Sequence, residues 1–107
     1  MKKAIMMLMA ALLILMVAGV TAFSAEVENG KAVYKVQKCS MCHAIAGTGG
    51  KMGALDDAGK LKADDLKKWV RTPKEMKADS KMTAYAAAKL SDKDLDDLVA
   101  YMLTLKK

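Results

Sequence analysis

Both cysteines and the only histidine of this 107-residue chain fall within five consecutive positions, Cys39-Ser40-Met41-Cys42-His43. Two thiols at that spacing can each add across one vinyl group of a haem. A histidine directly after the second thiol lies under the macrocycle, where an imidazole nitrogen reaches iron. The pentapeptide therefore reads as the attachment site of one covalent haem c, held through Cys39 and Cys42, with His43 as the proximal iron ligand. That attachment constrains the fold more than any other feature, because the rest of the chain has to close around a large, flat, apolar plate.

Other uses of the same residues lack what they need. A structural zinc site takes four ligands, and no further Cys or His exists to complete one. A thioredoxin-like dithiol expects strands and helices in alternation, whereas no β-branched or alternating run stands out beyond the first segment. A disulfide across two intervening residues would close a tiny loop and remove little entropy from the unfolded chain.

The N-terminus has the composition of an export signal. Lys2 and Lys3 precede an apolar run from Ala4 to Val20, and the stretch Thr21 to Ala25 is small apart from Phe23. Cleavage after Ala22 or after Ala25 suits a small-residue rule. An uncleaved anchor is the competing reading, since Ala4 to Phe23 is about long enough to span a bilayer, at roughly 20 residues. Either way residues 26–107 are expected outside the cytoplasm, periplasmic and either free or membrane-tethered, where haem attachment accounts for the two cysteines.

Removing the first 25 of 107 residues leaves 82, one small domain with only Tyr34, Trp69, Tyr85 and Tyr101 as aromatics. Chains of this size bury a limited core and often need a staple, which haem would supply. With Lys2 and Lys3 gone, 16 basic residues stand against 12 acidic ones, a balance of +4. The lysines are interleaved with Asp and lack aromatic platforms, so nucleic-acid binding is not expected.

Pattern reading predicts an all-α domain of three helices and no strand. The first runs from about Glu26 to Lys38, with Val27, Ala32, Val33, Tyr34 and Val36 on its apolar side. Ala46 to Lys60 reads as a flexible loop, marked by Gly47, Gly49, Gly50 and Gly53 rather than by a phosphate-binding context. The second helix spans about Ala63 to Arg71, with Asp64 and Asp65 at its N-terminus and Thr72-Pro73 at its end. The third starts at Ser91-Asp92-Lys93-Asp94, a capping-box-like sequence, and carries the stripe Leu95, Leu98, Val99, Met102 and Leu105. Asp92, Asp96 and Asp97 fall outside that stripe, and the pairs Asp56-Asp57, Asp64-Asp65 and Asp96-Asp97 read as solvated surface.

With His43 on one side of the iron, the sixth position falls to Met, Lys, the N-terminal amine, water or nothing. Met41 lies inside the attachment loop, Met102 belongs to the apolar stripe, and Met52 has a short path around the macrocycle. Met76 and Met82 lie in the irregular stretch between the second and third helices. A thioether opposite a histidine raises the reduction potential and closes the coordination shell.

Several segments are similar, in order and spacing, to the small bacterial monohaem class I cytochromes c. They are Gly30-x-x-x-Tyr34, Cys39-x-x-Cys42-His43, Gly53-Ala54-Leu55, Trp69-Val70-Arg71-Thr72-Pro73, Lys81-Met82-Thr83-Ala84-Tyr85 and Leu98-Val99-Ala100-Tyr101-Met102. The resemblance covers the chain beyond its first segment. It implies the class I cytochrome c fold, with the Gly30/Tyr34 helix crossing the Tyr101 helix, and Met82 rather than Met76 as the distal ligand. Trp69 would lie near the haem, where its indole N–H could reach a propionate or serve as an ordinary half-buried aromatic.

The chain departs from the family twice. Ala54 stands where a proline often supplies the carbonyl that accepts the proximal imidazole N–H, and Thr83 stands where a proline often follows the ligand methionine. The implied function is one-electron transfer between redox partner proteins by a monomer that is not an enzyme. Lys77 and Lys81 flank Met82 and Lys38 precedes the attachment motif, so these lysines read either as a positive rim that steers acidic partners or as generic solubilising surface. The rival readings are a haem enzyme or gas sensor with an open sixth position, and a subunit or membrane-tethered partner of a larger oxidoreductase.

Overall fold

The structure is a computed structural model and describes residues 23–107. Most of the expected leader therefore lies outside the described residues. Residues 23–25, its last three, are helical and run into the rest of helix α1, described over residues 23–36. Beyond it come α2 (Ala63–Arg71), the one-turn α3 (Pro73–Met76) and α4 (Asp92–Leu103). Short 3-10 turns occupy Cys39–Met41 and Ala58–Lys60. Among the described residues no helix is long and apolar enough to cross a membrane.

The frame is the crossing of α1 and α4. Gly30 is buried, and a Cβ there would overlap the Asp97 carbonyl oxygen and stand 2.7 Å from Cβ of Tyr101. Only a residue without a side chain allows that approach. Four residues on, Tyr34 meets Tyr101 edge to face, with ring centroids 6.0 Å apart at 76°. This is a favoured aromatic geometry. Val33 and Tyr34 bury against the α4 stripe Leu95, Leu98, Val99 and Met102, and Leu66 and Val70 of α2 join the same cluster.

Both later long helices fall where their sequence signals put them. α2 has the expected bounds, with Asp64 and Asp65 in its first turn and no side-chain cap at its start. Ser91 caps α4 by accepting from the Asp94 amide at 3.2 Å. The reciprocal half of a capping box is replaced, since the Asp94 carboxylate instead accepts from Asn29 Nδ2 at 3.1 Å.

Four expectations need correction. α1 ends two residues before Lys38, because Lys38 takes the left-handed conformation (φ 58°) and turns the chain. The apolar side drawn for α1 was too wide: Val36 is 75 % exposed and Ala32 is also exposed, as only the face turned to α4 has a partner. Asp97, expected on the surface, is 4 % exposed. It accepts from Asn29 Nδ2 at 2.6 Å and Lys93 Nζ at 2.8 Å, which together satisfy its charge under the helix crossing.

The fourth correction concerns the all-α expectation. The described residues are mostly helical, but the stretch after the attachment motif forms three short strands: β1 (His43–Ile45), β2 (Thr48–Gly49) and β3 (Gly53–Ala54), in the order β2-β1-β3. β1 pairs antiparallel with β2 (Ala44 with Gly49) and parallel with β3 (His43 with Gly53). The β1–β2 turn is Ala46-Gly47, both at positive φ (52° and 81°). Paired positive φ is the mark of the two-residue hairpin turn that suits strand twist. α3, at the Thr72-Pro73 break, adds a fourth helix to the three expected, and Pro73 occupies its first turn, where a missing N–H costs nothing.

Candidate functional site

The attachment motif is built by the abrupt end of α1. Lys38, in its left-handed conformation, redirects the chain into the 3-10 turn, and the Cys42 amide donates to the Cys39 carbonyl at 3.2 Å. Both thiols are free. Cys39 is half-buried and packs on the core, and burial pushes its thiol pKa up. Cys42 is exposed.

His43 opens β1, and the parallel pairing with Gly53 sets its ring. Its Nδ1 lies 2.9 Å from the Gly53 carbonyl oxygen. A carbonyl only accepts, so Nδ1 carries a proton, and in the neutral ring Nε2 is left with a lone pair, the tautomer an imidazole needs to bind a metal. The expected acceptor was the carbonyl of Ala54. The structure moves it one residue earlier, because the parallel register sets Gly53 opposite His43 and Ala54 opposite Ala44.

Further backbone bonds tie the hairpin to the motif. Gly50 N–H donates to Ser40 O at 2.9 Å, Met52 N–H to Cys42 O at 2.8 Å and Leu55 N–H to Ala44 O at 2.8 Å. Tyr34 Oη reaches the His43 carbonyl at 3.5 Å, at the edge of hydrogen-bond range. Desolvation, with lesser contributions from Cys39 and Tyr101, pushes the Tyr34 pKa up to about 12 and keeps its hydroxyl a donor.

The five methionines of residues 26–107 sort clearly by environment. Met102 is buried in the core, and Met41 and Met52 are 72 % and 67 % exposed. Met76, at the end of α3, and Met82 are half-buried. Of these two, Met82 packs against the core cluster that also receives Cys39, Ile45, Leu55 and Tyr85. The Met52 backbone is held beside the attachment motif by its N–H bond to Cys42 O.

The Met82 segment is fixed a few residues further on to α2 and to the turn that follows α1. The Tyr85 amide donates to Val70 O at 2.9 Å, and Tyr85 Oη reaches Gln37 O at 3.4 Å. Gln37 Nε2 donates to Lys89 O at 3.1 Å. Arg71 Nη1 donates to Tyr85 O at 2.9 Å and to Leu90 O at 2.6 Å. Sequence reasoning passed over Arg71, Tyr85 and Gln37 as links. Their acceptors are backbone carbonyls, which leave no mark in a sequence.

Trp69 is half-buried on α2. Lys38 and Lys81 are exposed, and Lys77 stands 4.0 Å from Asp79 with both side chains largely in solvent.

The residues at this site fit a covalently bound haem by the chemistry of their donors. Two unpaired thiols flank a turn, an imidazole Nε2 stands free beside them, and a partly buried thioether packs on the same core. Chains of known kind agree. The family described as cytochrome c oxidase, cbb3-type, subunit III matches residues 25–102. Cytochrome c oxidase subunit 2 of Alkalihalophilus pseudofirmus is 34 % identical over 107 aligned positions, which cover 83 % of this chain and 31 % of that protein. The chain thus spans less than a third of the relative's length. No solved structure matches. The expected kinship with small monohaem class I cytochromes c holds, and the chain belongs to the cytochrome c oxidase, cbb3-type, subunit III family, a family of c-type cytochrome domains that carry covalently bound haem c.

Proposed function

We propose that this chain is a periplasmic one-electron carrier and not an enzyme, built on the class I cytochrome c fold. Cys39 and Cys42 form the thioethers, His43 is the proximal ligand and Met82 the distal one. The observation that carries the reading is the His43 Nδ1 contact with Gly53 O. It leaves Nε2 as the only free ring nitrogen, directly after two unpaired thiols. When bound, haem c supplies an iron that cycles between the ferrous and ferric states.

The chain's own residues supply orientation and dielectric. The Gly53 carbonyl, fixed by β1–β3 pairing, holds the imidazole plane and directs Nε2 away from the strand pair as the ring nitrogen left for a metal. Ile45, Leu55 and Tyr85 pack on the same core cluster as Cys39, and a thioether at Met82 favours the ferrous state. Exposed Lys38 and Lys81 give the face a positive rim suited to acidic partners.

The test is optical. Ferric holoprotein is expected to show a thioether-to-ferric charge-transfer band that Met82→Ala removes and Met76→Ala leaves intact. Loss of the band in Met76→Ala alone would overturn the distal assignment. A high-spin ferrous spectrum with avid carbon monoxide binding in the unaltered protein would point instead to an open sixth position.

A second reading draws on the comparisons. The matched family and the relative are both named as oxidase subunits, so the domain would pass its electron within, or docked on, a larger oxidoreductase. Co-purification with such a complex, or retention in washed membranes, separates this from a freely diffusing carrier.

A further inference from the structure

Resting on the assignment of Met82 as distal ligand, we propose that Arg71 is the positioning residue that keeps the Met82 segment in its ligating conformation. Its guanidinium joins three points of the chain that are remote from it in sequence. Nη1 donates to Tyr85 O at 2.9 Å and Leu90 O at 2.6 Å, and Nη2 donates to Asp92 Oδ1 at 2.8 Å. The two carbonyls bracket the stretch that follows Met82, and Asp92 opens α4.

The fork is sheltered where it matters. The Arg71 side chain is 20 % exposed, while Asp92 is 90 % exposed. Exposed ion pairs contribute little to stability, whereas hydrogen bonds from a cation to partly buried carbonyls are of the stronger, charge-assisted kind. The functional contacts are therefore those to Tyr85 and Leu90.

Successive residues of α2 grip one residue from both sides. Val70 O takes the Tyr85 N–H, and Arg71 takes the Tyr85 C=O. Met82 lies three residues upstream, and its amide contact is local, to Ser80 Oγ at 3.2 Å. Arg71 and Met82 line the same groove, with Pro73, Ser80 and Ala84. Thr83 follows Met82 in place of a residue that would fix φ, so the backbone at that point is not stiffened covalently. The guanidinium fork supplies from α2 the restraint that the local sequence lacks.

Such a role differs from general stabilisation in what it moves. Releasing the carbonyls raises the population in which Met82 is off the iron, and apparent affinity for an exogenous sixth ligand rises in proportion to that population. The rest of the domain stays folded.

The experiment compares holoproteins of the unaltered chain, Arg71→Met, Arg71→Lys, Asp92→Asn, Leu98→Ala and Met82→Ala. It reads the thioether-to-ferric band, carbon monoxide affinity of the ferrous form, and far-UV circular dichroism at the same temperature. Arg71→Met is expected to lose at least about half of the band and to bind carbon monoxide about tenfold more tightly, at unchanged helical signal. Arg71→Lys, a point charge that cannot span both carbonyls, falls between it and the unaltered protein. Asp92→Asn and Leu98→Ala keep the full band, although Leu98→Ala loses core packing.

A full band and unchanged carbon monoxide affinity in Arg71→Met overturn the proposal, as does a Leu98→Ala protein that loses as much band as Arg71→Met. Should Arg71→Met fail to fold, the same two readings on Arg71→Lys decide. If Met82→Ala keeps the band, the ligand assignment has failed and the positioning role fails with it. A band lost in Met82→Ala but full in Arg71→Met overturns the positioning role alone.

Discussion

Asp97 lies under the helix crossing with its carboxylate between Asn29 Nδ2 and Lys93 Nζ. The hydrogen bond from Lys93, helped by the one from Asn29 and opposed by partial desolvation, holds its pKa below the ordinary carboxylate value. A depressed folded-state pKa contributes stability that is fully present above the unfolded-state value of about 3.9 and is lost as pH falls through the folded-state value. The contribution of Asp97 to holoprotein stability is therefore expected to be full and independent of pH above about pH 5 and to fall away below about pH 4. Asp97→Ala should remove that acid-limb contribution and cost about 2 kcal/mol at neutral pH. Urea titrations of both proteins at several pH values check this; an unchanged acid limb in Asp97→Ala would assign it to other carboxylates. The sequence placed Asp97 on the surface because its partner Asn29 is 68 residues away, and no local spacing reveals such a pairing.

At the scale of elements, the Gly30 contact decides how closely α1 and α4 approach. Gly30→Ala is expected to destabilise the holoprotein by about 1–3 kcal/mol, the usual cost of overpacking, although alanine is the better helix former. Thermal unfolding followed at the helical signal checks it; a stabilised Gly30→Ala would show that the crossing opens freely. α2 and α4 were legible because an amphipathic stripe and end signals agree on them: acidic residues and Thr72-Pro73 for α2, Ser91 for α4. The strands were not. β1 has three residues and β2 and β3 two each, too few for alternation to register, and backbone pairing to the attachment motif holds them rather than side-chain preference. The same limit explains why Cys39, Cys42, His43 and Met82 could be picked out as candidates from sequence while Gly53 could not: the former act through side chains, the latter through a carbonyl that every residue possesses.

For the whole molecule, size and core set the balance. The buried apolar cluster consists of Val33, Tyr34, Ala58, Leu66, Val70, Leu90, Leu95, Leu98, Val99 and Met102. That is thin for a small domain, while Met41 and Met52 remain largely in solvent and Leu61 is also exposed. Haem is expected to supply the missing apolar area, so the chain with Cys39→Ala and Cys42→Ala should lose most of its helical circular dichroism at neutral pH and unfold without a cooperative transition. Full helicity and a sharp melt in that variant would show that the protein core suffices alone.

The pairing of His43 with Gly53 has a further consequence for how such a chain can vary over time. Because the imidazole is oriented by main chain rather than by a side chain, no single substitution deletes the acceptor. Residue 53 can change identity while the proton on Nδ1 keeps its partner, provided the two strands keep their register. Inheritance at this point is of backbone path, not of residue type. Insertions or deletions between residues 46 and 52 break that register, and so do replacements of Gly49 or Gly50, where a Cβ would overlap the backbone oxygens of His43 and Met41.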